Sequence, residues 1–241
     1  MSRSNTASAL SLVKGIGPLA RASELRRTGG LAWRLGRPEL DAALPGGVPR
    51  GRITEWAGPR SAGKTAALRQ MVRAVREAGA GTAYVDGTGT LAPAPWVLGR
   101  LGPGGAPPFW VVRPPSPDGV LPAAEELIRS GVFGLVVAED GEWSRTVAVR
   151  LQRLARGSGV ALVAVVDRPG RVPLAALRVR FQPAPETDSC RIQIRGLSHS
   201  RRVLRARELP YRLPLDCGLA DRRGAGRAEG AGSERRGKPR R

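Results

Sequence analysis

Lysine is nearly missing from this 241-residue sequence: three lysines stand against 37 arginines, with one histidine and two cysteines. The lone His199 excludes a catalytic triad or a metal cluster built on histidine. Cys190 and Cys217 fit no disulfide framework or metal-ligand spacing, so a reducing, cytoplasmic setting is expected. No apolar run approaches membrane-spanning length and no secretory apolar region follows the start, so no membrane partner is expected. The first 27 residues are basic and acid-poor, but Gly15, Gly17 and Pro18 interrupt the amphipathic helix a transit peptide needs. Balanced charge is missing too. The formal net charge of +20 suits an acidic partner such as DNA or RNA. Arginine in excess beside abundant Ala, Gly and Pro is also what a GC-rich coding sequence writes at neutral surface positions. The charge therefore supports no more than weak, sequence-independent, salt-sensitive DNA contact.

What is present is Gly58-Pro59-Arg60-Ser61-Ala62-Gly63-Lys64-Thr65, a glycine, four residues and then Gly-Lys-Thr. This is the P-loop pattern. Its glycines let the backbone wrap close to an anion. Lys64 would reach the β and γ phosphates of ATP, and the Thr65 hydroxyl would hold Mg²⁺. The backbone amides of Gly58 to Thr65 and the following helix N-terminus complete the cradle. With only Lys14, Lys64 and Lys238 in the chain, a lysine at this position is informative.

The flanking pattern suits that reading. Arg52 to Ala57 reads as a strand entering the loop. Leu68, Met71, Val72 and Val75 then mark one face of a helix that Gly79 closes. Strands are expected at Thr82–Asp86, Phe109–Val112, Phe133–Ala138 and Val160–Val166. Helices are expected at Pro122–Ser130 and Ser144–Arg156. Strand and helix alternate five times, which implies a parallel sheet covered on both faces. Leu177–Gln182 and Arg191–Arg195 then alternate in the manner of an antiparallel edge hairpin. Three segments result. Residues 1–30 form an N-terminal helical arm, 31–217 a nucleotide-binding core, and 218–241 a disordered basic tail.

Leu40-Asp41-Ala42-Ala43-Leu44, Gly46-Gly47, Pro49, Gly51-Arg52-Ile53, the P-loop, Tyr84-Val85-Asp86, Leu91 and Pro93 together resemble the RecA recombinase family. The likeness runs from residue 31 to about 210 and is strongest between 40 and 95. It implies an α/β RecA-like P-loop core: a mostly parallel sheet flanked by helices, with an antiparallel edge hairpin. It also implies ATP and Mg²⁺ as cofactors. The departures are specific. Where the family places a water-orienting glutamate, two residues past the strand-end aspartate, this chain has Thr88. The Walker B aspartate position falls on Glu139, followed by Asp140, and the switch glutamine position on Asp167. Both DNA-binding loops are expected to be short, and the large C-terminal domain of the family is not expected within this sequence.

A RecA core with these departures is similar to the ImuA proteins, which accompany the Y-family-like polymerase subunit ImuB in damage-induced mutagenesis. The resemblance implies an ATP-binding accessory in translesion synthesis that regulates a polymerase complex or RecA. Two alternatives stay open: a minimal DNA-dependent ATPase or recombinase, and a RecA-fold adaptor that no longer binds nucleotide. Site assignments follow from the same likeness. Asp86 and Glu139 are the candidate catalytic acids, although Asp86 could instead cap its turn. Thr65, Glu139 and Asp140 are the candidate metal ligands, the two acids being equally readable as solvent-facing strand-end carboxylates. Trp96 lies where the family sets an aromatic against adenine, and a core position is its alternative. Arg191, Arg195, Arg201, Arg202, Arg205 and Arg207 form the densest basic region. It reads as a partner- or DNA-facing patch or as a solvated edge strand.

Overall fold

The computed structural model describes residues 32–44, 47–97, 107–184, 189–196 and 207–212. The expected arm at 1–30 and the tail at 218–241 lie outside the described residues. A two-stranded antiparallel sheet pairs β1 (Ala32–Trp33) with β2 (Val48–Pro49), and α1 (Pro38–Ala43) lies between them in sequence. From there the chain builds one eight-stranded sheet.

The elements are β3 (Ile53–Ala57), α2 (Lys64–Glu77), β4 (Gly81–Asp86), the short α3 (Ala94–Val97), β5 (Phe109–Val112) and α4 (Val120–Arg129). They continue with β6 (Phe133–Glu139), α5 (Arg145–Ser158), β7 (Ala161–Val166), β8 (Leu177–Ala184), β9 (Ser189–Gly196) and β10 (Arg207–Arg212). The sheet order is β10-β9-β8-β3-β7-β6-β4-β5, and every pairing from β8 to β5 is parallel. Pairings β8–β9 and β9–β10 are antiparallel. The fold class is thus the expected α/β RecA-like core, with one correction. The β8–β9 hairpin is not the edge, because β10 adds outside it.

β3, β4, β6 and β7 are apolar along almost their whole length because both faces are covered. On one face, α2 seats Leu68, Met71, Val72 and Val75, all fully buried, against Trp56, Tyr84, Leu135, Val137 and Val163. Burying side chains of this kind stabilises the fold by about 1.5–3 kcal/mol each. On the other face, α4 and α5 bring Ala124, Ile128, Ala148 and Leu151 onto Ile53, Val136, Ala138 and Leu162. The ends of α5 are set locally. The Ser144 hydroxyl accepts from the Val147 N–H as an N-cap, and Gly159, with φ of 74°, closes the C-terminus. α4 starts two residues before the expected Pro122, behind a turn of 3₁₀ helix at Pro117–Gly119.

Parallel strands all end on the same side of a sheet. The C-terminal ends of β3, β4, β6 and β7 therefore bring Gly58, Asp86, Glu139 and Asp167 to one edge of the molecule.

Candidate functional site

Between β3 and α2 the chain makes a tight loop whose backbone leaves little choice of residue. A Cβ on Gly58 would lie 2.4 Å from the Phe181 carbonyl oxygen of β8, so a side chain there collides with main chain. Gly63, at φ 92°, sits in the left-handed region immediately before the helix, and Ser61 shares that region at φ 60°. Left-handed residues of this sort turn successive N–H groups toward a common point, the concavity that binds anions. α2 adds its own N-terminal amides and dipole. Thr65, the second helical residue, is exposed at that end.

Lys64 is folded back over the loop. Its Nζ donates to the Gly58 carbonyl and, at 3.0 Å, to the Val166 carbonyl at the end of β7. Burial lowers its pKa below the ordinary lysine value. The carboxylates of Glu139, Asp167 and Asp140 oppose that shift, and Arg60 adds to it. The three acids thus surround the lysine closely enough to act on its charge.

Glu139 ends β6 on the α2 face. Its Oε2 accepts from the Tyr84 hydroxyl at 2.8 Å, a bond across the β4–β6 pair. Burial pushes the Glu139 carboxyl upward, the Tyr84 O–H and Lys64 hold it back, and the Asp86 and Asp140 carboxylates push it further up. The Tyr84 hydroxyl is itself raised, first by burial and then by the Glu139 charge. Asp140 follows at φ 61° and is exposed. It borders a cavity of about 460 Å³ shared with Trp143 and Arg171. The indole nitrogen of Trp143 is shielded from solvent and has no hydrogen-bond partner among the described residues.

Asp86 is placed differently from the role given it by the family likeness. Its side chain is fully buried. Oδ1 accepts from the Thr88 hydroxyl at 3.0 Å, while Oδ2 accepts from the Leu91 N–H at 3.0 Å and from Arg113 Nε at 3.1 Å. Burial alone would raise its pKa. The Leu91 amide, Arg113, Thr88 and the Gly89 amide together overcome that and hold it below the ordinary carboxylate range. Both oxygens are committed to the turn, so the capping alternative describes Asp86 and the catalytic one does not. Thr88, tied to Asp86 and paired with the Thr90 hydroxyl at 2.7 Å, belongs to the same turn.

Trp96 also needs correction. It is buried, stacked on Phe109 with ring centroids 5.4 Å apart and meeting Tyr84 edge-on at 5.2 Å. With its side chain buried among these rings, it is not open to stack on an adenine. Of the basic region, Arg195 is exposed on β9. Arg201, Arg202 and Arg205 lie outside the described residues.

Two residues that sequence reasoning passed over organise this edge. Glu55, central in β3 and fully buried, accepts from the Gly170 and Val172 N–H groups at 2.8 Å each, pinning the segment that follows β7. Its signal was available: a carboxylate in the middle of a strand buried on both faces needs partners. Tyr84 carried a similar hint, as a hydroxyl two residues before Asp86 on the face that α2 covers.

The loop, the helix it opens and the sheet beneath define a P-loop α/β domain. Residues 30–142 match the family model of the RecA N-terminal domain. Among individual proteins, Protein RecA of Borreliella afzelii is 40% identical over 101 residues, covering 42% of this chain and 27% of that protein. Protein RecA of Picosynechococcus sp. is 35% identical over 100 residues, covering 42% and 28%. That of Caldanaerobacter subterraneus is 37% identical over 105 residues, covering 43% and 30%. The core is RecA-like, and the matched stretch spans somewhat over a quarter of the length of these relatives. Among the described residues no helix is long and apolar enough to cross a membrane.

Proposed function

We propose that this chain binds ATP with Mg²⁺ at Gly58–Thr65, hydrolyses it slowly, and serves as a regulatory accessory in DNA-damage-induced translesion synthesis. The observation that carries the proposal is the P-loop itself, a backbone nest with Lys64 above it and Thr65 at the helix start. Bound Mg²⁺ would supply charge neutralisation of the phosphates, and Thr65, Glu139 and Asp140 are the residues that would hold it. Slow turnover rests on Thr88, a neutral hydroxyl already engaged with Asp86. Positioned general-base catalysis is worth about 10²–10⁴-fold, and no described carboxylate stands free at Thr88 to supply it.

The accessory role rests on the likeness to ImuA proteins and on the short connections at the sheet edge. Only Asp140–Ser144 separates β6 from α5, and ten residues, 167–176, separate β7 from β8. The partners proposed are an ImuB-like Y-family polymerase subunit and RecA, with weak non-specific DNA contact. A second reading, a docking domain without nucleotide, has one observation in its favour: Lys64 Nζ already has two carbonyl acceptors.

Equilibrium binding of a fluorescent ATP analogue with Mg²⁺ separates the two. Saturable binding by wild type that Lys64→Ala weakens at least about tenfold supports the nucleotide reading, since one charge-assisted bond carries that much. Absence of binding by folded wild type favours the docking domain. Co-purification with a Y-family-like polymerase subunit, lost when the two are co-expressed with a competing RecA, tests the accessory role.

A further inference from the structure

Where β8 and β9 pair, one face is apolar and buried through Val179, Phe181, Ile192 and Ile194, and the other carries Arg178, Arg180, Gln193 and Arg195. Register makes this second face strongly cationic. Arg178 stands directly opposite Arg195, and Arg180 opposite Gln193. Like charges facing each other on an antiparallel pair are destabilising. One carboxylate is at hand, Glu55, which pairs with Arg178 across β3 and β8. Its oxygens are bonded to the Gly170 and Val172 amides, and it lies 3.6 Å from Arg178 Nε, too far for a hydrogen bond. That Nε is shielded from solvent and has no hydrogen-bond partner. Arg180 and Arg195 are exposed and form no ion pair among the described residues. Of the charged residues that line the cavity beside this face, three are arginines and one is a carboxylate, while Glu208 of β10 stands opposite Gln193 in register.

These groups surround a cavity of about 350 Å³, walled on one side by Pro169 and Gly170. None of the lining residues belongs to the P-loop. Guanidinium groups present forked donors that match oxyanions. Three of them around one volume call for an ion with more oxygens and more charge than a carboxylate. Arrangement around one open-sided cavity, rather than along a stripe, suits a free phosphate end more than the run of diesters along a polymer.

We propose that this cavity is a second anion site, separate from the P-loop, that binds a terminal phosphate or pyrophosphate group. The group comes either from a small phosphate compound or from the 5′-phosphorylated end of a nucleic acid. Binding offsets the repulsion between Arg178 and Arg195.

The test uses full-length Lys64→Ala, in which the P-loop no longer competes, titrated with inorganic pyrophosphate by calorimetry and thermal shift. Saturable binding with a raised Tm is expected. Adding Arg180→Gln and Arg195→Gln should weaken it at least about tenfold, through loss of charge-assisted bonds. Without ligand, Arg195→Gln should leave Tm unchanged or raise it, because it removes one of two opposed charges. If Lys64→Ala does not fold, wild type serves, and the two arginine substitutions must abolish one of two pyrophosphate sites. Short oligonucleotides with and without a 5′-phosphate distinguish the sources. Preference for the phosphorylated end, lost in the arginine variants, assigns the nucleic-acid end, and pyrophosphate binding alone assigns the small molecule. Absence of saturable pyrophosphate binding, or binding equal in the arginine variants, overturns the proposal.

Discussion

Glu55→Gln is the smallest change that tests how this sheet edge is held. In the wild type each carboxylate oxygen accepts one N–H, from Gly170 and Val172, both at 2.8 Å and with the side chain fully buried. Glutamine has the same shape but one acceptor and one NH₂. One amide of the 167–176 segment must then face a donor. Losing a charge-assisted hydrogen bond costs about 1.5–3 kcal/mol, and a buried unsatisfied donor costs about 1–3 kcal/mol. Relief from burying a charge acts the other way. The ion pair with Arg178 adds little, since that arginine is 34% exposed and its Nε is 3.6 Å away. The net expectation is a loss of about 2–4 kcal/mol, a large part of the ~5–15 kcal/mol that typical domains have. For a core of this size that is a fall in Tm of about 5–12 °C. Urea unfolding measures it, and trypsin cleavage after Arg171 should accelerate beyond what global unfolding explains. A loss under about 1 kcal/mol with unchanged cleavage would refute the account of Glu55 as the anchor of this segment.

Other outcomes follow from the same contacts. Asp86→Asn should reduce acid sensitivity: the native carboxyl is held below its unfolded value, so its contribution is complete above about pH 4 and lost as pH falls through the lower native pKa. Wild type and variant denaturation curves should converge at low pH, and a constant difference would contradict this. Trp96→Ala should cost about 3–5 kcal/mol by emptying the space between Tyr84 and Phe109, with ATP affinity of the folded fraction unchanged. A selective loss of affinity would return Trp96 to the nucleotide site. Gly58→Ala should abolish nucleotide binding, because its Cβ meets the Phe181 carbonyl, and retention of affinity would show that the loop shifts freely. Thr88→Glu should raise ATP hydrolysis only if the new carboxylate leaves Asp86 to reach the loop, and a rate at the wild-type level would indicate that Asp86 and Arg113 hold the turn away.

The P-loop was legible because its constraints are local. Glycine at 58 and 63 and the spacing of Leu68, Met71, Val72 and Val75 each follow from backbone geometry within one turn. The parallel order was legible from unbroken apolar strands. Trp96 read two ways, as core or as an adenine platform, because its fate depends on Tyr84 and Phe109, which lie on two strands and meet it only after folding. Asp86 depended on Arg113, 27 residues away. β10 was obscured by Pro210, which argues against a strand in sequence. At the outer edge of a sheet a missing N–H is tolerated.

The charges at the strand ends also bear on why the proposed ligand is a metal complex rather than a bare nucleotide. Lys64 is the cation aimed at the loop, and Glu139, Asp140 and Asp167 all act on it through space. In the proposed complex its two carbonyl bonds would be exchanged for phosphate oxygens. That exchange gains charge attraction from one lysine, with Arg60 beside it, and meets repulsion from three carboxylates. A tri- or tetraanionic phosphate chain brought to this edge alone would gain little. A divalent cation held by Glu139 or Asp140, as proposed, would change the sign of that encounter by neutralising charge, and the acids would then act as ligands rather than as an obstacle. The Tyr84 hydroxyl favours the same outcome. By donating to Oε2 it stabilises the charged form of Glu139 against the upward push of burial, and leaves Oε1 as the acceptor available at the strand end.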